Sequence, residues 1–418
     1  MYDVLIMGGG PAGLYAAYCL AKAGRRVAVF EEHSEIGSPV HCTGLVSTET
    51  FTRFDVSRPS DCAVMSRARF HSPGGRTFAV ASDKDESVVL DRTAFDRGLA
   101  DQAQAAGAEL LLGCRVESLR RLRGCLVART SAMRGAERLI RGRLGIMATG
   151  VSYGLHKGLG FQVPDRFLSG AQVEVMFDEA SAEVEVYFGN HVAPESFAWV
   201  VPFRRQGVAM AKIGLLSSKD AVRYLNTFLQ SSMVASRIRP GSACRYLRRP
   251  VPVWPLPDTV GDRILAVGDA AGLVKPTTGG GVYYSLLSAE LAAEAMGEAL
   301  DAGDGSARFL SRYQTAWRAV IWPEIRMGGL FRSFAAHLSD AQIDEAFALV
   351  GREPIAQLIR DHGSFNWHRG LILNLWQSRG MRGFLCRVLM RRGGQMVGLL
   401  HHPVDESCIR QPSEESTR

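Results

Sequence analysis

The N-terminal stretch constrains the fold most. Residues Asp3 to Met7 read as an apolar strand, Gly8-Gly-Gly-Pro-Ala-Gly13 as a tight turn, the alanine-rich run to Lys22 as a helix, and Arg25 to Phe30 as a second strand ending at Glu31. Two strands joined through a helix form a βαβ unit, which commits this part of the chain to a parallel sheet with helices on its faces. Within Gly-x-Gly-x-x-Gly, Gly8 permits the tight turn, Gly10 lets the backbone approach a pyrophosphate, and Gly13 lets the helix pack on the strand. Glu31 is placed to accept hydrogen bonds from the ribose hydroxyls of an adenosine. Dinucleotide binding is the expectation.

A second glycine-rich stretch, Leu265 to Val282, carries the same kind of signal. It reads as a strand from Arg263 to Val267, an acidic turn at Asp269, a loop ending in Gly279-Gly-Gly281, and a helix from about Val282 to Leu300. Glycines opening a helix leave backbone N–H groups bare, so an anionic or strongly polar ligand can approach the helix N-terminus. Taken alone, the stretch reads equally well as an ordinary strand–loop–helix connection.

Between these stretches the pattern changes twice. Residues 66 to 90 alternate polar and apolar around Pro73-Gly-Gly75, as a hairpin does, and Asp91-Arg-Thr-Ala-Phe-Asp96 opens a helix to Ala106. Strands follow at Glu109 to Leu112, Arg115 to Leu119 and Leu144 to Ala148. From Ala171 to Leu216 four alternating strands (Gln172–Phe177, Glu183–Phe188, Ala198–Pro202, Val208–Ile213) suggest an inserted antiparallel sheet. Beyond Leu300 the chain is mostly helical, and residues 403–418 are polar enough to be disordered. The expected division is a discontinuous dinucleotide domain (1–65, 88–165, 255–305), a sheet domain (66–87, 166–254) and a helical region (306–402).

Composition excludes several classes. A formal charge of +7 over 418 residues is too small a bias to imply nucleic acid. The eight cysteines form no C-x-x-C pair, so neither zinc nor a disulfide framework is suggested and a reducing compartment is expected. The longest apolar candidate for a membrane span is interrupted by Glu290, Glu294 and Glu298. With the first strand starting at Asp3 there is no room for a signal peptide, and the expected location is cytoplasmic.

The motifs together resemble the para-hydroxybenzoate-hydroxylase-like FAD enzymes, and within them the geranylgeranyl reductase branch. The residues that carry the resemblance are Gly8, Gly10 and Gly13 with Glu31, the loop Pro39-Val-His-Cys42-Thr43-Gly44, Asp91-Arg92-x-x-Phe95-Asp96, and Gly268-Asp269-Ala-Ala-Gly272 running into Lys275-Pro-Thr-Thr-Gly-Gly-Gly281. The implied fold class is α/β, a Rossmann-like FAD domain with an inserted antiparallel substrate sheet and a C-terminal helical region. By the same resemblance Ala12 and Gly13 would hold the FAD pyrophosphate and Glu31 the ribose. Arg92 would reach the cofactor from its helix start, and Val116 would offer backbone groups on the adenine side. Asp269 would meet the ribityl or pyrophosphate region, and Gly281 with Val282 would present N–H groups to the flavin pyrimidine edge, where reduced flavin carries negative charge.

Cys42, Thr43 and Gly44 would line the flavin and substrate pocket, with Cys42 either orienting or protonating substrate or serving as a small core residue. The branch's aromatic-x-Trp-x-Phe-Pro motif reads Phe197-Ala-Trp199-Val-Val201-Pro202 here. Trp199 and Pro202 match, while the usual tyrosine and phenylalanine are replaced by Phe197 and Val201. Trp199 reads as a wall of the substrate pocket or as a strand core residue. The implied activity is FAD-dependent reduction of C=C bonds in a polyprenyl chain on a lipid, quinone or chlorophyll-type head group, with NAD(P)H or a ferredoxin-like donor. A flavin monooxygenase or halogenase is the alternative on the same fold, and a flavin-bearing binding protein a third reading. Residues 379–392 interleave five arginines with Met, Phe, Leu and Val, as an interfacial helix on a membrane surface would, or as a helix packed on the protein with its arginines solvated.

Overall fold

The computed structural model describes residues 1–40, 42–81, 87–132, 137–178, 181–242 and 246–391. His41, the apolar run Met396–Leu400 and the polar stretch 403–418 lie outside the described residues. A central sheet runs in the spatial order Val260–Gly261, Ile264–Ala266, Glu137–Met147, Tyr2–Met7, Val27–Phe30, Glu109–Leu111. Its inner pairs are parallel, because each connection passes through a helix or a long excursion. The strand Tyr2–Met7 sits in the middle and is buried from Val4 to Met7, so it is apolar throughout rather than alternating. The helices Pro11–Lys22, Arg92–Ala105 and Val282–Ala302 pack together, the first touching both others.

The sequence suggested only short strands between Arg115 and Ala148. The structure instead holds an antiparallel meander there, Cys114–Leu122, Cys125–Ala132 and Glu137–Met147. Cys114–Leu122 and the first half of Glu137–Met147 are largely exposed and rich in arginine, while Cys125–Ala132 buries Leu126, Val127 and Ala128 in succession, so none of them shows a long buried-and-exposed alternation in its sequence.

The second sheet has seven strands in the order Leu247–Pro252, Phe167–Met176, Val208–Ser217, Phe197–Arg205, Glu183–Phe188, Arg67–His71, Thr77–Ala81. It is antiparallel except where Glu183–Phe188 meets Arg67–His71 in parallel, a consequence of recruiting the hairpin from far upstream. One face is covered by the helix Ala221–Leu229, whose Leu225 and Phe228 pack on Val173, Ile213 and Leu215. Register then fixes the other face. Trp199 lies opposite Gly214, which lies opposite Gln172; Val201 opposite Lys212, opposite Glu174; and Leu216 opposite Gly170, opposite Arg249. Those side chains point toward the dinucleotide-type domain, because residues two apart share a face.

After Ala302 the described chain is helical from Ala307 to Arg391, apart from short connections. The helix Arg379–Arg391 buries Met381, Phe384 and Val388 against Phe334, Leu338, Ala346 and Leu349. Its apolar stripe is therefore spent on the protein, with Leu389 and Met390 exposed beside it. No helix among the described residues is long and apolar enough to cross a membrane.

Candidate active site

The turn after the first strand is closed by contacts that leave no room for side chains. A Cβ at Gly8 would lie 2.3 Å from the carbonyl oxygen of Ala148, and one at Gly13 would lie 2.0 Å from that of Gly8. Above Gly10, by contrast, nothing lies within 4 Å of such an atom. That is an open approach to bare backbone at the start of the helix Pro11–Lys22, where Ala12 and Gly13 form the first turn. Glu31 ends the second strand and accepts the Gly9 N–H at 2.8 Å, so its carboxylate borders the turn. The strand bearing Val116 begins beside it, with the Cys114 N–H donating to the Glu31 carbonyl at 2.8 Å.

The opposite wall is the loop after Ile264–Ala266. Gly268 to Ala271 form a short 3-10 turn, Gly272 takes a left-handed φ of 70°, and Gly279 one of 72°. The helix Val282–Ala302 starts at Gly281 with no side-chain cap, so its first N–H groups are not taken by a side chain. A Cβ at Gly281 would lie 2.8 Å from Oδ1 of Asp269, which puts that carboxylate against the helix start. These walls fit a dinucleotide cofactor: a glycine cradle, an acid at the second strand end, and an uncapped helix N-terminus facing it.

Arg92 follows the Asp91 N-cap and forms a buried pair with Asp96, its Nη2 donating to Oδ2 at 2.9 Å. Burial opposes its charge, but Asp96 and the Cys42 sulfur beside it hold its pKa above the ordinary arginine value. Cys42 Sγ accepts the Gly44 N–H at 3.3 Å. Thr43 donates through its hydroxyl to Gln172 Oε1 at 2.6 Å, and the Trp199 indole N–H donates to the same oxygen at 3.3 Å. The indole lies over Gly214, where a Cβ would come within 2.5 Å of it. Around Trp199 pack Met65, Val89, Val184, Val201 and Phe203, an apolar cluster.

The structure thus brings Cys42, Thr43, Gly44, Arg92 and Trp199 together, with Asp269, Gly281 and Val282 on the facing loop. A Cβ at Gly279 would lie 2.7 Å from Leu216 of the sheet, so the loop reaches the same face. Sequence reading missed three polar residues of this region. Lys212 is 2% exposed and donates to the carbonyls of Thr43 at 2.7 Å and Leu90 at 3.2 Å. Gln172 joins Thr43 to Trp199, and Arg249 pairs with Asp269 at 3.5 Å. A lysine inside the apolar strand Val208–Ser217 was the available signal; the other two required the register. No cluster able to hold a metal ion occurs among the described residues.

Comparison with known proteins places this geometry. A family model described as lycopene cyclase protein matches residues 3–352. A digeranylgeranylglycerophospholipid reductase from Methanoculleus marisnigri is 34% identical, over 85% of this chain and 90% of its own. The chain belongs to the geranylgeranyl reductase family. A second such relative of the family, digeranylgeranylglycerophospholipid reductase 2 from Methanothermobacter thermautotrophicus, is 31% identical over 82% of this chain and 90% of its own. Among solved structures, a geranylgeranyl bacteriochlorophyll reductase-like protein from Thermoplasma acidophilum superposes with a TM-score of 0.82 at 23% identity, covering 93% of this chain and 99% of that one. A variant of halogenase PltM in complex with FAD shares the fold at a TM-score of 0.68 and 15% identity, covering 94% and 92%. The flavoprotein fold expected from the motifs is the one observed.

Proposed function

We propose that this geranylgeranyl reductase family member binds FAD and saturates C=C bonds in the polyprenyl chains of a glycerophospholipid. The observation that supports it best is the shared sheet face, on which Trp199, Gly214 and Gln172 meet the Cys42–Gly44 loop opposite the glycine-rich helix start. When bound, FAD supplies the hydride equivalent that an isolated alkene needs, since such an alkene has no carbonyl to polarise. The chain's own residues do the rest. Gly8 to Gly13 and Glu31 hold the adenosine and pyrophosphate half, with Val116 on the adenine side. Arg92, Asp269 and the N–H groups of Gly281 and Val282 hold the flavin half. Trp199 and the apolar residues around it shape the path of the chain and exclude water. Cys42, at the junction of loop and sheet, delivers the proton to the second alkene carbon.

The electron donor is NAD(P)H or a ferredoxin-like protein, and the substrate is drawn from a membrane surface. The test is to reduce the purified flavoprotein anaerobically, add a digeranylgeranylglycerol phospholipid, and weigh the product. A gain of two hydrogens per double bond is expected; an unchanged lipid would overturn the reading. Substrate-stimulated oxygen uptake with an oxygenated product would assign the site to monooxygenation instead.

A further inference from the structure

Lys212 is a cation with little solvent around it and a specific set of neighbours. From its own sheet it faces Glu174 on the strand Phe167–Met176, 4.0 Å away, and Arg205 at the end of Phe197–Arg205. From the other domain it faces Cys42 on its loop and Arg92, itself paired to Asp96, on the helix Arg92–Ala105. A Cβ at Gly44 would lie 3.4 Å from its Nζ, and the Gly44 N–H is the group that Cys42 Sγ accepts. The sulfur therefore sits among the Arg92 guanidinium, the Lys212 ammonium and a backbone N–H. Glu174, with its side chain 22% exposed, is paired to Arg205 at 2.7 Å and stands 4.0 Å from Lys212. A buried cation with only two carbonyl acceptors at hydrogen-bond distance among the described residues is costly to keep for tethering alone.

We propose that Lys212 is a positioning residue for proton delivery: its ammonium stabilises the anionic sulfur left when Cys42 gives its proton to the alkene. The inference rests on the reductase reading above. In the step, the alkene π bond breaks and two C–H bonds form, one with the proton of the Cys42 S–H and one with the hydride equivalent of the reduced flavin. The half-exposed Cys42 sulfur then regains a proton from solvent, while Lys212 keeps its own on the carbonyls of Thr43 and Leu90. Preorganised cations at a developing anion act in a site that excludes water, where their effect is large.

The test uses the purified flavoprotein without lipid. Cys42 is modified with methyl methanethiolsulfonate at pH 7 and its rate read from peptide masses, with the exposed Cys386 as the internal reference. The thiolate is the reacting form, so the rate reports how well the anion is stabilised. Lys212→Met should slow Cys42 about tenfold at an unchanged Cys386 rate. Lys212→Arg, which keeps the charge, should stay within about threefold of the native rate. Glu174→Gln removes the acid that offsets Lys212 and should raise the rate about twofold. Equal Cys42 rates in the native protein and Lys212→Met overturn the proposal. If Lys212→Met does not fold, an unchanged or slower rate in Glu174→Gln does so alone. In turnover, Lys212→Met should lower kcat about tenfold at constant KM, as loss of an interaction made only in the transition state does. Because the modification rates need no lipid, failure of the reductase reading leaves them standing, whereas flat rates in a protein that does reduce the lipid remove the role of Lys212 only.

Discussion

A methyl group at Gly214 would lie 2.5 Å from Cζ2 of Trp199 and 2.8 Å from the carbonyl oxygen of Ala171. The backbone on one side cannot yield, so the indole must move and lose its hydrogen bond to Gln172. Gly214→Ala is expected to cost about 1–3 kcal/mol in stability, as overpacking does, and to lower lipid turnover more than FAD affinity. Thermal melting, a flavin titration and product mass measure the three. Glu31→Ala tests the other end of the site. It leaves the Gly9 N–H without its acceptor and the adenosine without an acid, and FAD affinity should fall about tenfold or more, near the 1–3 kcal/mol of a lost charged hydrogen bond. At this scale the sequence exposed the residues whose type alone is diagnostic: the glycines, Glu31, Cys42 and Trp199. It marked Lys212 only as a lysine inside an apolar strand, and it hid Gln172 and Arg249, because a glutamine or an arginine in a strand means nothing until pairing decides which way it points.

Among elements, the glycine-rich loop before Val282 and the segment 364–369 depend on each other. Lys275 is 4% exposed and donates to the carbonyl of Phe365 at 2.9 Å and to Asn366 Oδ1 at 3.1 Å. Asn366 donates to Glu49, which also accepts from Tyr283 and Trp367. Burial, opposed by Glu49, brings the Lys275 pKa down to about 7 from 10.5. Between these two values the unfolded chain holds a proton that the folded chain lacks, so stability rises as pH rises through this window. Below about pH 7 both states are charged and the cost of burying the cation is present in full. Lys275→Met should remove this dependence. Between pH 7 and pH 9 the native protein should gain about 1–3 kcal/mol relative to the variant, on the scale of 1.36 kcal/mol per pKa unit, read from melts at the two pH values. The glycines of this loop were legible as a helix start. Its partners were not, since nothing local in Ser364-Phe-Asn-Trp-His368 marks it as the lining of a distant loop. The meander from Cys114 to Met147 was hidden for a different reason, none of its strands showing a long buried-and-exposed alternation.

For the whole molecule, the two-sheet plan followed from the βαβ start and from the change to alternating strands near Ala171, because both periodicities answer to buried faces. The helix Arg379–Arg391 shows where periodicity stops deciding: its stripe suits a membrane or a protein, and Met381, Phe384 and Val388 are packed on the protein. Among the described residues of this helix, those left to meet a membrane are the exposed Arg379 and Arg382 with Leu389 and Met390. Arg379→Glu with Arg382→Glu should weaken binding to vesicles of anionic phospholipid about tenfold or more, at about 1 kcal/mol per basic residue, while leaving the melting curve unchanged. Flotation with vesicles checks the first and calorimetry the second.

The family match ends at residue 352, yet Lys275, Glu49, Thr277 and Tyr284 all take partners from residues 365–368. A chain cut at that boundary would keep every glycine-rich motif and yet lose both acceptors of the Lys275 ammonium and two of the three side-chain donors to Glu49. The part of the molecule that the family model matches is therefore closed from outside its own boundary: the last helices act as its keystone.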